Sequence, residues 1–304
     1  MILLNQMIIL FMMAVTGICC RKFNILNDEA SKKLSSLVVN IANPALILSA
    51  SINQSEYLEG SQLIMTFVLA ILMFVVLMII AKFLPFILRV DAKDQGIYKA
   101  MLVFSNMGFM GFPVISATYG SNALLLASMF LVPFNVLIYT YGISIMNQSE
   151  QKEKFQFRKV LNVGVIACII AIIIYLSRLH VPAPIESFVK SMSNLTAPLS
   201  MIIIGDSMAK MDLKKLFTNG RLIIFSIIKL IIVPITGVFI LKWIGLDATL
   251  LGVCMIILAT PAASMTAMLA QEYNGDYELA SQGVALTTVL CIVTIPLVAF
   301  ITGV

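Results

Sequence analysis

The first residues whose types and spacing indicate chemistry are Asn106, Gly108, Gly111 and Pro113, which lie in the apolar stretch FSNMGFMGFPVISATYG at 104–120. Glycine permits close approach of backbones, and proline lacks the N–H that a regular helix needs. A membrane helix with these residues at its middle is therefore predicted to be interrupted. Because each freed backbone group costs several kcal/mol in lipid, such an interruption is tolerated only inside protein or beside a water-filled cavity.

A second interruption is predicted about 154 residues later, in LATPAASMTA at 258–267. Thr260 followed by Pro261 is typical of a helix start, with threonine as the N-cap, and Ser264 belongs to the same predicted site. The N-terminus of a half-helix exposes N–H groups and partial positive charge, which suits a carboxylate. Each motif alone could be a kinked helix, but two in corresponding halves favour a pair of crossing broken helices and a substrate site.

Asn43 is a further candidate, because it lies in the predicted second span and precedes Pro44, which frees a carbonyl nearby. Polar side chains are costly in lipid and must face a partner or a cavity. A hydrogen bond between helices explains the asparagine equally well. Both interpretations stay open for this residue.

Two charged residues could serve a transported anion or a coupling ion. Lys229 lies in SIIKLIIVPIT, near the middle of an apolar span, where an intramembrane charge indicates function. It could pair with an anionic substrate, substitute for a coupling cation, or cap carbonyls released by a broken helix or by Pro234. Asp206 lies near the end of the seventh span, where an interfacial carboxylate is favoured over a proton-coupling role.

The composition defines the environment of these residues. The chain has 304 residues, of which 60% are hydrophobic and 12% are charged, whereas soluble domains are about half apolar and about a quarter charged. The chain is therefore predicted to be a polytopic membrane protein whose partner is the lipid bilayer. Its basic residues lie in short loops, so the net charge of +5 does not indicate nucleic acid. No acid–base or metal motif is apparent, and we expect no enzymatic activity, no catalytic residues, no metal and no cofactor.

Ten spans are predicted from segments long enough to cross about 30 Å of hydrocarbon. They are 2–20, 34–52, 62–84, 97–119, 123–146, 160–178, 185–208, 219–242, 248–270 and 278–302. The loops that follow the first, third, fifth and seventh spans, together with the adjoining span ends, hold 16 of the 20 Lys and Arg residues. By the positive-inside rule these loops are cytoplasmic, and both termini are expected outside the cell.

Five spans in each half imply an inverted repeat, because an odd number turns the second half upside down in the membrane. The predicted units are 1–146 as the first repeat, 147–159 as a cytoplasmic linker and 160–304 as the second repeat. The fold class expected is therefore an all-α membrane protein with ten transmembrane helices in a 5+5 inverted repeat. The broken fourth and ninth helices are expected to cross.

Four segments together resemble the auxin efflux carrier family, which includes plant auxin exporters and bacterial malate permeases. They are NMGFMGFP at 106–113, ATPAASMTAMLAQEYNGDYELAS at 259–281, VNIANPALIL at 39–48 and IKLIIVP at 228–234. The resemblance covers nearly the whole chain. Thr266 stands where the plant exporters carry a second proline, which puts the shape of the second crossing in question. The chain also has only the short segment 147–159 in place of their long central loop, as in bacterial members.

The resemblance implies a fold similar to that of bile acid sodium symporters and an organic anion as substrate. We expect a secondary transporter of a small carboxylate such as malate, working by alternating access and coupled to a proton or a sodium ion. Spans one and six would form a scaffold, and spans two to five and seven to ten a transport domain. We expect the protein in the inner (plasma) membrane. The sequence leaves open whether it forms a homodimer. The alternative is a membrane-embedded anion sensor without net transport.

Overall fold

The computed structural model describes residues 2–52, 58–146, 160–210 and 218–304, and within these ranges the chain is helical. The helices are α1 Ile2–Lys22, α2 Asp28–Leu37, α3 Asn43–Ser49, α4 Gly60–Leu88, α5 Gln95–Val103, α6 Phe112–Ser128, α7 Leu131–Leu137, α8 Ile143–Met146, α9 Val163–Ser177, α10 Ala183–Ser193, α11 Thr196–Ala209, α12 Gly220–Ile227, α13 Val233–Ile244, α14 Ala248–Ala259, α15 Ser264–Glu272 and α16 Tyr277–Thr302. In place of strands, the described residues have one isolated antiparallel bridge. The predicted all-α class is confirmed, and the predicted linker 147–159 lies outside the described residues.

Within the described ranges, five helical stretches are long and apolar enough to cross a membrane, by length and composition. They are Leu3–Lys22, Gly60–Leu88, Met107–Ser128, Gly220–Ile244 and Tyr277–Thr302. Three shorter apolar helices accompany them: Leu131–Met146, Val163–Ser177 and Ala248–Ala259. These stretches identify a membrane protein, while the count of ten spans and the inverted repeat stay predictions.

Wide π-helical turns replace α-helix directly before three of the prolines. The turns are Val38–Ala42, Met107–Gly111 and Ile228–Ile232, and they precede Pro44, Pro113 and Pro234 respectively. In each case the proline is the second residue of the helix that follows. A proline ring clashes with the carbonyl four residues earlier, and that carbonyl lies at the centre of each wide turn. The π turn therefore lets the helix continue through the proline.

Both predicted interruptions are confirmed: the second lies inside its motif, and the first lies at the start of its motif and not at Gly111 and Pro113. In the fourth span α5 ends at Val103, and residues 104–106 leave the helix before the π turn begins. Gly111 and Pro113 are inside helical backbone. Gly120, inside α6, is a second interruption within the stretch 104–120. Its φ is 81°, a conformation that glycine adopts at no steric cost.

The predicted role of Thr260 as an N-cap is wrong. Thr260 is the C-cap of α14, and its hydroxyl donates to the Ile257 carbonyl at 2.8 Å. The next helix, α15, begins only at Ser264, with Ala263 as its N-cap. Pro261 therefore lies in the non-helical segment between the helices and is not the first helical residue. Threonine hydroxyls can bond a carbonyl in the preceding turn as readily as they cap a following helix, which explains the misassignment.

The backbones of α1 and α11 approach each other without intervening side chains. A Cβ atom added to Gly17 would lie 2.1 Å from the Ile202 carbonyl oxygen, and one added to Gly205 would lie 1.8 Å from that of Ala14. Small residues permit such contact between membrane helices. These two helices are thus in direct backbone contact at Gly17 and Gly205.

Candidate functional site

The two helix breaks pair with each other through their backbones. The Asn106 N–H donates to the Pro261 carbonyl, and the Ala263 N–H donates to the Phe104 carbonyl, each at 2.8 Å. The two bonds form the antiparallel bridge between Ser105 and Ala262. Each break thus satisfies backbone groups of the other, as buried polar groups require. The sequence motifs of the two halves meet at one place in the fold.

A neighbouring helix satisfies one more backbone group of the second break. The Ala262 N–H donates to the Thr287 hydroxyl oxygen of α16 at 3.2 Å. The same hydroxyl donates back into its own helix, at 2.8 Å from the Gly283 carbonyl. Thr287 is fully buried, so it connects the break to α16 without water. Thr287 could not be predicted as part of the site, because a lone threonine in an apolar helix carries no signal of its distant partner.

Asn106 is the N-cap of the π turn Met107–Gly111. Its side-chain oxygen accepts from the Phe109 N–H at 3.4 Å, and its carbonyl accepts from Met110 and Gly111. A Cβ on Gly111 would be in ordinary contact with the Thr260 methyl group at 3.6 Å. Asn106, Gly111 and Thr260 therefore lie at the same junction, as predicted from their motifs.

Asn43, the first residue of α3, also lies close to this junction. A Cβ on Gly108 would lie 3.2 Å from the Asn43 side-chain nitrogen, so glycine leaves room for the amide. Asn43 is 8% exposed, and its side-chain oxygen has no hydrogen-bond partner within the described ranges. Buried polar atoms are normally paired. The unpaired acceptor beside Gly108 is therefore available to a hydrogen-bonding ligand.

The start of α15 offers further polar groups. Its N-cap, Ala263, has no side chain that could satisfy the first N–H groups, which have no partner within a helix. Ser264 is exposed at this end. Thr266 is fully buried, and its hydroxyl is unpaired in the described part of the chain. Thr266, noted from sequence only as a departure from the family pattern, therefore joins the candidate site.

Lys229 lies in a π turn and is fully buried. Its ammonium donates to the Leu102 carbonyl at 3.0 Å and to the Ser105 hydroxyl at 2.5 Å. Leu102 belongs to the last turn of α5, whose carbonyls have no partner within the helix. The capping of a carbonyl at a broken helix, one of the roles considered from sequence, is therefore seen, and these contacts leave the role of a cation substitute open. No acidic side chain of the described residues forms an ion pair with Lys229.

Asp206 belongs to a different group of charges. Its buried carboxylate lies 3.1 Å from Arg21 Nε of α1 and 2.8 Å from the Lys210 ammonium. Both basic residues also contact the exposed Asp28 of α2. These ion pairs connect the C-terminal ends of α1 and α11 to the N-terminal end of α2. The described geometry does not bring Asp206 into contact with the paired breaks.

Comparison with known proteins identifies the class of this chain. The profile of a family described as membrane transport protein matches residues 2–299. An uncharacterized transporter of Methanocaldococcus jannaschii is 26% identical, over 98% of both chains. An uncharacterized transporter of Methanothermobacter thermautotrophicus is 24% identical, over 94% of this chain and 93% of its own. The match over nearly the full length makes this a membrane transport protein.

The chain belongs to the auxin efflux carrier family, as the motifs at the two breaks indicated. This is a family of transporters and not of enzymes. The paired breaks, Asn43 and Lys229 are therefore the polar interior of a transporter.

Proposed function

We propose that the protein is a secondary transporter of a small organic anion, a carboxylate such as malate, which binds beside the paired breaks. The observation that carries the proposal is that buried, unpaired polar groups lie next to both breaks. Asn43 contributes an unpaired acceptor beside Gly108 of the first break, Thr266 an unpaired hydroxyl shortly after the second, and α15 an N-terminus that no side chain caps. A hydroxy acid offers both the negative charge and the hydroxyl that such a mixed set would bind.

The electrostatics of the junction favour an anion. The N-terminus of α15 carries partial positive charge, and the Lys229 ammonium is close to the first break through Ser105. No carboxylate in the described ranges neutralises that ammonium by an ion pair. The side-chain NH2 of Asn106 is a further donor for a bound carboxylate. Gly108, Gly111, Pro113 and Pro261 would shape the backbone around the ligand.

Transport by alternating access would move part of the helical bundle around this site, with broken helices four and nine crossing at its centre. The predicted scaffold consists of spans one and six. Because α1 contacts α11 through Gly17 and Gly205, any such movement must either carry α11 with α1 or separate their backbones. Coupling to a proton or a sodium ion, an inner-membrane location with both termini outside, and a homodimer belong to the same proposal.

Counterflow of labelled malate in proteoliposomes tests the function. We expect Asn106→Ala and Pro113→Ala each to lower the counterflow by at least about tenfold, which corresponds to about 1.4 kcal/mol. The matched control is Asn40→Ala, because Asn40 is exposed and its side chain bonds only Ser36 of its own helix. Counterflow that survives both site substitutions would refute this placement of the site.

Binding measurements separate the transporter from its alternative. If purified protein binds malate but proteoliposomes show no uptake or counterflow, the membrane-embedded anion sensor becomes the better description. Asn43→Ala should weaken malate binding in either case, because the unpaired oxygen belongs to the binding site and not to the movement.

A further inference from the structure

The surroundings of Lys229 have the composition of a cation site. Its ammonium binds one carbonyl oxygen at the C-terminus of α5 and one hydroxyl oxygen in the break that follows. Carbonyls of unwound backbone and the C-terminal ends of half-helices are the groups with which secondary transporters coordinate sodium ions. Both oxygens come from one broken helix, and the ammonium comes from another segment, Ile228–Ile232.

The charge of Lys229 fits such a site better than a neutral donor would. Leu102, Ser105 and Lys229 are all buried, so their interactions are weakly screened by solvent. The C-terminus of a helix carries partial negative charge, which favours a cation. The second break does not have this arrangement, because the hydroxyl of Thr260 caps its preceding helix at the Ile257 carbonyl. Among the described residues, only the first break thus has a cationic side chain bound to the end of its preceding helix.

We propose that the Lys229 ammonium is a built-in substitute for a bound sodium ion, so that this transporter works without sodium. The ammonium fills the place at the Leu102 carbonyl and the Ser105 hydroxyl that a free cation would otherwise take. Removal of the side chain would open a vacant site for a small monovalent cation. The transport part of this inference rests on the proposed function, whereas the cation site itself does not.

Thermal unfolding in detergent tests the site without any transport. Lys229→Ala should have a lower Tm than the native protein, and sodium chloride or methylammonium chloride should restore several degrees, since a ligand that binds only the folded state stabilises it. Choline chloride at equal concentration should not restore the Tm of Lys229→Ala, because choline is too large for the vacated space. The native protein should show no difference between sodium and choline.

Lys242→Ala is the matched control. Lys242 also donates to a carbonyl at a helix C-terminus, that of Thr302, but its side chain is exposed at the end of α13. Water can solvate the carbonyl after the substitution, so we expect no response to sodium or methylammonium. A folded Lys229→Ala protein that responds to neither cation would overturn the proposal, as would sodium-specific stabilisation of the native protein.

Transport assays provide the second test, which remains available if Lys229→Ala does not fold. Native protein should take up malate at equal rates in sodium and in choline buffers of the same pH, and uptake that requires sodium would overturn the inference. If malate is not transported at all but Lys229→Ala gains stability from small cations, the function proposed above fails and the cation substitution stands. The two proposals can therefore fail separately.

Discussion

The Thr287 hydroxyl of α16 accepts a hydrogen bond from the N–H of Ala262, which lies 25 residues earlier, between two helices. This bond satisfies a backbone N–H in the non-helical stretch between α14 and α15, where no helical carbonyl is available. The neighbouring N–H of Ala263 is satisfied by Phe104 of the other break. The second break is therefore supported from two sides, by a side chain of α16 and by the backbone of the first break.

Thr287→Val should destabilise the protein by about 1–3 kcal/mol, because it leaves the buried Ala262 N–H without a partner. Valine has nearly the same shape, so the loss of packing is small. Thr287→Ser, which keeps the hydroxyl, should retain most of the stability. Thermal unfolding in detergent measures both.

The control for this prediction is Thr236→Val. Thr236 is on an exposed face of α13, and its hydroxyl bonds only the carbonyls of its own helix, at 2.7 Å to Ile232 and 3.1 Å to Val233. We expect little change in Tm. An equal loss of Tm in Thr287→Val and Thr236→Val would show that the hydrogen bond to Ala262 does not stabilise the protein more than an ordinary bond within a helix does.

Gly205→Ala should lower stability by about 1–3 kcal/mol or more, because the new Cβ would overlap the Ala14 carbonyl and the two backbones would have to separate. Gly220→Ala, where an added Cβ meets no heavy atom within 4 Å, is the matched control and should be neutral. Unfolding in detergent distinguishes the two variants. A native-like Tm for Gly205→Ala would mean that α1 and α11 separate easily.

Asp206→Asn should also destabilise the protein, because it leaves Arg21 and Lys210 without their buried carboxylate. We expect a loss of about 1–3 kcal/mol, less than for a fully buried ion pair, since both basic partners are partly exposed. Asp28→Asn removes a carboxylate whose side chain is 83% exposed and should cost well under about 1 kcal/mol. If malate counterflow by folded Asp206→Asn loses its dependence on pH, Asp206 has a coupling role beyond these ion pairs.

Asp94, in the short turn before α5, should make the stability depend on pH. Burial raises the pKa of its carboxyl, and the nearby carboxylates of Asp276 and Asp91 act in the same direction, against Lys93 and Arg221. The folded state thus holds this proton more tightly than the unfolded chain does. Its contribution is therefore largest at acid pH and decreases as pH rises through the raised pKa.

Asp94→Asn should remove this component, so that Tm falls less between about pH 4 and pH 8 than in the native protein. Asp94→Glu keeps a carboxyl at nearly the same place and should keep the native trend. Identical pH profiles for native protein and Asp94→Asn would contradict the assignment.

Much of the site could be predicted from residue types alone. Asn106 and Thr260 were selected because membrane helices rarely tolerate such motifs, and the structure brings both to the pair of breaks. The second break lies where its motif predicts it, but the exact place of the first could not be predicted. Pro113 is accommodated by a wide turn, while the helix ends earlier, at Val103, where the partner break supplies hydrogen bonds.

Contacts between segments that are far apart in the chain could not be predicted from the sequence. Lys229 was identified as an unusual buried charge, but its two acceptors lie 124 and 127 residues away in the chain. Thr287 carries no signal in the sequence, and Thr266 stands out only as a departure from the family pattern, because their surroundings depend on how α15 and α16 pack. Local patterns indicate where regular helix is strained, and only the tertiary structure shows which groups relieve that strain.

The wide turns before Pro44, Pro113 and Pro234 have a consequence for the evolution of the chain. Each π turn holds one residue more than an α-helix would need to join the same two flanking helices. Deletion of one residue there, together with replacement of the proline, would leave the flanking helices in their present register. These three places are where we expect relatives of this chain to differ in length by a single residue inside a membrane helix, without an insertion in any loop.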